Sequence, residues 1–152
     1  MSDIKPTEPS AKLTGRCLCG AVSYQVNANE HVDVCHCKMC RRWSGGPVFA
    51  VEANGRLEIA GQDNLAVYNS SEWGERCFCK TCGTNLFWRA PSMGFTAVMA
   101  GSLDDEQHLK LTKQIFIDHK APYFSFANET ENLTEAQVIA LFAGTEGSSG
   151  GG

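Results

Sequence analysis

The sequence predicts a mainly β fold with one short helix near its C-terminal end. Three observations lead there. Short alternating or β-branched runs recur along the chain, glycine-centred turn signals separate them, and a single stretch carries helix-type capping residues. With 152 residues, 43% of them hydrophobic and 20% charged, the chain is long enough for one domain with its own core.

Residues 1–12 are polar, contain Pro6 and Pro9, and read as a flexible lead-in. The domain proper is expected over residues 13–126. Its strands are expected at Ala21–Val26, Val48–Ala53, Leu57–Ala60, Leu65–Asn69, Asn85–Arg89, Phe95–Ala100 and Lys113–Ile117. In the first of these Val22, Tyr24 and Val26 fall on one face and Ser23 and Gln25 on the other, as a half-buried strand requires. Asn54-Gly55 reads as a hairpin turn, and Ala60-Gly61-Gln62-Asp63 and Trp73-Gly74 mark further turns, glycine tolerating the positive φ they need. A C-terminal extension, residues 127–144, holds the expected helix Thr134–Phe142. There Thr134 and Gln137 are spaced as a capping box and Gly144 stands just past the last apolar residue as a stop. Leu133, Val138, Leu141 and Phe142 are expected on its buried face. The Gly/Ser-rich residues 145–152 read as a flexible tail.

Composition excludes several classes of function. No run of about 18 apolar residues exists, so no membrane span is expected. The N-terminus lacks the apolar core of a secretory leader, which points to a cytoplasmic protein. Thirteen basic against 17 acidic residues give a net charge of -4, and no basic stripe interleaved with aromatics calls for nucleic acid as partner. No feature specifies an oligomeric state.

The eight cysteines are the anomaly. In a reducing compartment disulfides rarely persist, and a chain of this size needs no covalent staples, so metal binding or thiol chemistry is expected instead. Seven of the eight stand in three tight clusters: Cys17-Leu18-Cys19-Gly20, Cys35-His36-Cys37-Lys38-Met39-Cys40 and Cys79-Lys80-Thr81-Cys82-Gly83. A C-x-x-C turn aims two sulfurs at one tetrahedral ion, and zinc is the metal such thiolate sets select. Cys17, Cys19, Cys79 and Cys82 complete one closed four-cysteine site of structural type. Cys35, Cys37 and Cys40 then form a set one ligand short, and an open fourth position marks a site for chemistry. A second pairing joins Cys37 and Cys40 to Cys79 and Cys82 as a zinc ribbon. Its gap is about twice the roughly 15–20 residues such ribbons favour, and it leaves Cys17, Cys19 and Cys35 unexplained. Cys77 is either a buried small residue or a further ligand. His36, flanked by two candidate ligands, is a fourth ligand, a donor behind the ligands, or a structural residue.

Three ordered motifs carry a resemblance. Gly15-x-Cys17-x-Cys19-Gly20-x-Val22, Cys35-His36-Cys37-x-x-Cys40-Arg41-x-x-x-Gly45 and Arg76-x-Phe78-Cys79-x-x-Cys82-Gly83-x-x-Leu86 resemble the glutathione-dependent formaldehyde-activating enzyme family. Gly101-Ser102-Leu103-Asp104 and Ala121-Pro122-Tyr123 agree with it, so the resemblance spans Leu13 to Phe124. It implies a β-tent of coiled antiparallel sheets stapled by zinc. The activity implied is that of a carbon–sulfur lyase of the S-(hydroxymethyl)glutathione synthase kind. It also implies two zincs per chain, with Cys17, Cys19, Cys79 and Cys82 on the structural ion and Cys35, Cys37 and Cys40 on the catalytic one. Glutathione is the implied co-substrate and a small aldehyde such as formaldehyde its partner. Lys38, Arg41, Arg42 and Arg76 lie in or beside the motifs as candidate partners for the carboxylates of a thiol substrate, and Trp43 is a candidate wall beside it. Of these, Arg41 and Trp43 are the expected thiol-substrate contacts. A different class of reading is a non-catalytic, zinc-stapled protein-binding module, which would require Cys77 or His36 to close the second site.

Overall fold

The computed structural model describes the backbone of residues 11–146 and the side chains of residues 11–143. The expected lead-in up to residue 10 and the tail from residue 147 lie outside them. Among the described residues ten strands and two α-helices follow in order. They are β1 (Ala11–Arg16), β2 (Ser23–Cys35), α1 (Lys38–Ser44), β3 (Val48–Ala53), β4 (Glu58–Ala60), β5 (Leu65–Asn69), β6 (Glu75–Cys79), β7 (Asn85–Ala90), β8 (Phe95–Met99), β9 (Lys110–Ile115), β10 (Glu131–Leu133) and α2 (Glu135–Glu146). The mainly β expectation holds. The strands form one sheet in the order β10-β9-β2-β3-β8-β7-β6-β5, with β1 and β4 also paired to β2. β1 and β4 on β2, β3 on β8, and the run β5 to β8 pair antiparallel, whereas β10 runs parallel to β9. Among the described residues no helix is long and apolar enough to cross a membrane.

The chain divides into two units. The first comprises the described part of Met1–His31 with Ala50–Lys110, and the second Val32–Phe49 with the described part of Leu111–Gly152. In the first, Val22, Tyr24 and Val26 are all buried, as their alternation requires. Tyr24 stands edge-on to Phe87 at 5.0 Å, and its hydroxyl lies 2.5 Å from that of Ser102. Gly15 pairs across from Tyr24, and a Cβ there would overlap the Tyr24 ring. In the second unit Val32, Val34, Val48, Ala121 and Val138 are buried.

Several expectations give way. Asn54-Gly55 does turn, with Gly55 at φ 91°, yet it closes no hairpin: β4 pairs with β2 and β3 with β8. A turn signal reports local backbone geometry and not the partner that the following strand finds. The helix α2 runs through Gly144 to Glu146, since glycine in a last turn costs only about 1 kcal/mol when nothing else stops the helix. Val138 is buried as expected, but Leu141 is 56% exposed. The capping box forms: Thr134 N–H donates to Gln137 Oε1 at 2.8 Å, and Gln137 N–H to Thr134 Oγ1 at 3.3 Å.

Candidate metal centres

The first thiol group is built by two knuckles of the same design. Cys17 and Cys19 stand in the turn between β1 and β2, where Gly20 N–H donates to Cys17 O and Cys17 N–H to Val22 O. Cys79 ends β6 and Cys82 follows in a turn where Gly83 N–H donates to Cys79 O and Cys79 N–H to Thr84 O. Each knuckle is followed by a glycine in the left-handed region, Gly20 at φ 85° and Gly83 at φ 81°. A side chain at either would strain the turn that brings two sulfurs to one side. The four Sγ atoms all lie within 4.8 Å of one another, with Cys17 to Cys19 at 3.7 Å and Cys19 to Cys79 at 3.8 Å. A tetrahedral zinc with arms of about 2.3 Å has sulfur–sulfur edges of about 3.8 Å. The donor set therefore fits that ion in type, number and spacing.

N–H groups donate to two of the sulfurs in this group. Cys17 Sγ accepts from Val22 N–H at 3.4 Å, and Cys79 Sγ accepts from Cys82 N–H at 3.4 Å and Asn64 Nδ2 at 3.2 Å. The Cys82 amide holds the Cys79 thiol below its ordinary range. The Thr84 hydroxyl, 3.1 Å from Cys82 Sγ, brings that thiol down to about 5, helped by a backbone N–H. For Cys19 the Ala21 N–H pulls downward, but desolvation and the sulfurs of Cys17, Cys82 and Cys79 outweigh it and push the thiol up to about 11. Asn64 and Thr84, the latter also receiving Leu18 N–H at 3.0 Å, carry no motif that marks them in the sequence.

Cys35, Cys37 and Cys40 make the second group, their Sγ atoms within 4.8 Å of one another. Cys35 ends β2, Cys37 caps the N-terminus of α1 and Cys40 is the buried residue of that helix. Cys40 N–H donates to Cys37 Sγ at 3.3 Å, and Gly45, at φ 83°, ends α1 with its N–H on Arg41 O. The Cys35 thiol is raised well above its ordinary range by hydrogen bonding to Cys37 and Cys40 and then by burial. Three sulfurs gathered at this spacing are donors of the type and reach that zinc takes, so this set also fits that ion.

Among the described residues no fourth Cys, His, Asp or Glu ligand atom joins the three. Along β2 the even-numbered residues face the interior: Val32, Val34 and then His36 are buried. Cys35 and Cys37, one residue either side, are thereby turned to the other face. His36 Nε2 lies 2.8 Å from Gln114 Oε1, and Gln114 Nε2 donates to Thr130 Oγ1 at 2.9 Å. Since Oε1 can only accept, Nε2 carries the proton, and Nδ1 is a buried acceptor with no hydrogen-bond partner. The ring lies 5.8 Å from that of Phe124 and 6.0 Å from that of Phe126. Burial holds His36 below its ordinary range against the Gln114 bond, with the charges of Lys120 and Arg41 adding to the shift.

The other expected site residues fall as follows. Arg41 is half-buried on α1 and its Nη1 donates to His119 O at 2.9 Å. Trp43, also half-buried, follows Cys40 by three positions on the same helix. Lys38 and Arg42 are exposed, and Arg76 is buried in β6. Cys77 joins neither thiol group; it is buried in β6 across from Phe87, and burial pushes its thiol up to about 11. Cys37 with Cys40 and Cys79 with Cys82 belong to separate groups, unlike the pairs of a zinc ribbon. A third cluster, Asp118, His119 and Glu135, was not marked by any sequence spacing. Asp118 Oδ1 accepts from Glu135 N–H at 3.0 Å and His119 Nε2 lies 2.9 Å from Glu135 Oε1, which ties the start of α2 to the turn after β9.

Fold and sites together define the class: a mainly β protein carrying one four-thiol and one three-thiol group, each suited to a metal ion. The family model described as glutathione-dependent formaldehyde-activating enzyme matches residues 12–119, and the chain belongs to that family. The matched span holds all eight cysteines and stops before α2. The chain is 31% identical over 128 residues to a Schizosaccharomyces pombe protein named an uncharacterized lyase, a match covering 82% of this chain and 93% of the yeast protein. A crystal structure of a Rhodobacter sphaeroides protein superposes with a TM-score of 0.52 at 27% identity, over 60% of this chain and 88% of that one.

Proposed function

We propose that the chain is a zinc-dependent carbon–sulfur lyase, forming or breaking the adduct of glutathione or a related thiol with formaldehyde or another small aldehyde. Family membership and the lyase-named yeast relative support the reaction class. The observation that carries the reading is the second thiol group, which gathers three sulfurs without a fourth protein ligand among the described residues. A zinc held by Cys35, Cys37 and Cys40 would supply a free coordination position and make a thiol placed there more acidic. In the reaction the thiol sulfur bonds to the carbonyl carbon, the C=O π bond breaks and the sulfur's proton ends on the oxygen. Nothing is oxidised or reduced.

The chain's own residues supply position and charge. Cys40 and Trp43 stand three apart on α1, and residues at that spacing are neighbours on a helix face, which supports Trp43 as a wall beside the three sulfurs. Arg41 keeps further N–H groups beyond the one on His119 O for a carboxylate of the thiol substrate. His36, held by Gln114, fixes Cys35 and Cys37 from behind. A reducing cytoplasm would keep these thiols available. The protein-binding module has no observation in its favour, since neither His36 nor Cys77 completes the three-thiol group.

Metal analysis should find two zincs per chain. Glutathione should perturb the absorption spectrum of cobalt-substituted protein, and formaldehyde consumption should require it. Cys37→Ser should lower that rate by about a hundredfold or more. A glutathione titration that changes neither spectrum nor rate would overturn glutathione as the thiol.

A further inference from the structure

The geometry points to the free edge of β5 as a self-association surface, on which a second copy of this chain docks by antiparallel strand pairing about a two-fold axis at Val67. Among the described residues β5 ends the sheet and pairs on one side only, with β6. The phase of that pairing is set by two bonds flanking it, Lys80 N–H to Asn64 O at 2.8 Å and Ser70 N–H to Gly74 O at 3.2 Å. Antiparallel ladders alternate, so residues 66 and 68 direct their N–H and C=O groups at β6, and residues 65, 67 and 69 direct theirs at the free edge. Leu65 N–H is already taken by Gln62 O. The edge therefore offers the N–H groups of Val67 and Asn69 and the C=O groups of all three residues.

The same edge is incomplete on its interior face. Val67 stands across from Cys77, which is wholly buried, yet Val67 itself is 46% exposed because no strand follows. Edge strands in stable monomers carry lysine, proline or a bulge as protection; Leu65-Ala66-Val67-Tyr68-Asn69 carries no charge and no proline. These features select a second copy as the occupant. Pairing Val67 with Val67 of the copy sets Leu65 against Asn69 and brings no like charges together. It makes four bonds, two between the Val67 pair and two from Asn69 N–H to Leu65 O. The chain's first ten residues, with two prolines and three charged side chains among them, are a poor alternative strand. Five paired residues per copy bury less than the roughly 1,200 Å² of a standard interface, so the association is weak.

The test is sedimentation equilibrium of the full zinc-loaded chain across the micromolar range, for wild type, Val67→Pro and Val67→Lys. Proline at position 67 removes only an outward N–H and spares the ladder to β6; an unfolding temperature within a few degrees of wild type confirms that each variant is folded. The expected result is a wild-type dimer whose dissociation constant rises about tenfold or more in both variants. A wild type that is monomeric throughout, or a dimer that Val67→Pro leaves at wild-type strength, overturns the proposal. This inference does not depend on the reaction at the thiol groups, and either can fail alone.

Discussion

The two thiol groups use the same side chain in opposite ways. The four-thiol group is assembled from segments 60 residues and more apart, Cys17 with Cys19 on one knuckle and Cys79 with Cys82 on the other, so an ion there closes a long loop. The three-thiol group takes all its sulfurs from six consecutive residues, and its loop is already held by α1 and by the His36–Gln114 bond. Closing a long loop contributes to folding, whereas a local cluster contributes mainly a place to bind. N–H groups reach the sulfurs of Cys17 and Cys79 from Val22, Cys82 and Asn64, and that of Cys37 from Cys40. An ion on four thiolates would leave a dianionic centre, whereas one on the three sulfurs gathered among the described residues would carry less charge.

The largest effect expected from this contrast is on folding. Cys79→Ser removes a sulfur that joins both knuckles. It should abolish cooperative unfolding, or lower the unfolding temperature by more than about 10 °C, because structural zinc contributes about 10 kcal/mol in small domains. Cys37→Ser should leave the unfolding temperature within a few degrees and cost one of two zincs. Thermal unfolding with parallel metal analysis reads both, and equal destabilisation by the two variants would erase the distinction drawn between the groups.

Gly15→Ala comes next and tests the first knuckle without touching a sulfur. Its Cβ would overlap the Tyr24 ring and crowd the Ser102 carbonyl. Tyr24 cannot yield, being packed edge-on to Phe87 and bonded to Ser102. A loss of about 2–3 kcal/mol in denaturant unfolding is expected, with the Cys35, Cys37 and Cys40 metal retained. A neutral result would mean that the strand pair feeding Cys17 tolerates displacement.

Gln114→Leu acts on the other side of the comparison. It strands the buried His36 Nε2–H, whose Nδ1 already lacks a partner, at a cost of about 2 kcal/mol. Because His36 separates Cys35 from Cys37, zinc affinity at that group should fall about 10–100-fold while the four-thiol ion is unaffected. Competition with a chromogenic chelator resolves the two ions; equal weakening of both would remove His36 from its positioning role.

Much of this was legible in the sequence, and the rest was not for identifiable reasons. The strands β3 and β5 have the bounds expected from their β-branched runs and flanking turns, and the thiol groups follow from cysteine spacing because C-x-x-C geometry is local. The helix α1 was not expected. Its seven residues bury only Cys40, so no 3.6-residue apolar period exists to read. β1, β6 and β10 lack a signal of their own: β10 is three residues held by its parallel neighbour β9, and β6 mixes Arg76 with two cysteines. Asn64 and Thr84 reach sulfurs only through the folded arrangement of turns, which no spacing encodes.

The smallest effect is at the helix cap. The residues Thr134 and Gln137 satisfy each other's backbone donors, so Thr134→Ala should cost about 1 kcal/mol. Asp118 Oδ1 still receives Glu135 N–H, which keeps the first turn of α2 anchored. That turn connects onward, from Glu135 to His119 and from the His119 carbonyl to Arg41 on α1, the helix that bears Cys40. If this path only braces the helix, Thr134→Ala lowers the unfolding temperature by a few degrees and leaves zinc affinity unchanged. A fall in affinity confined to the three-thiol group would mean that α2 helps shape that site, and that the local cluster is less self-sufficient than its six-residue span implies.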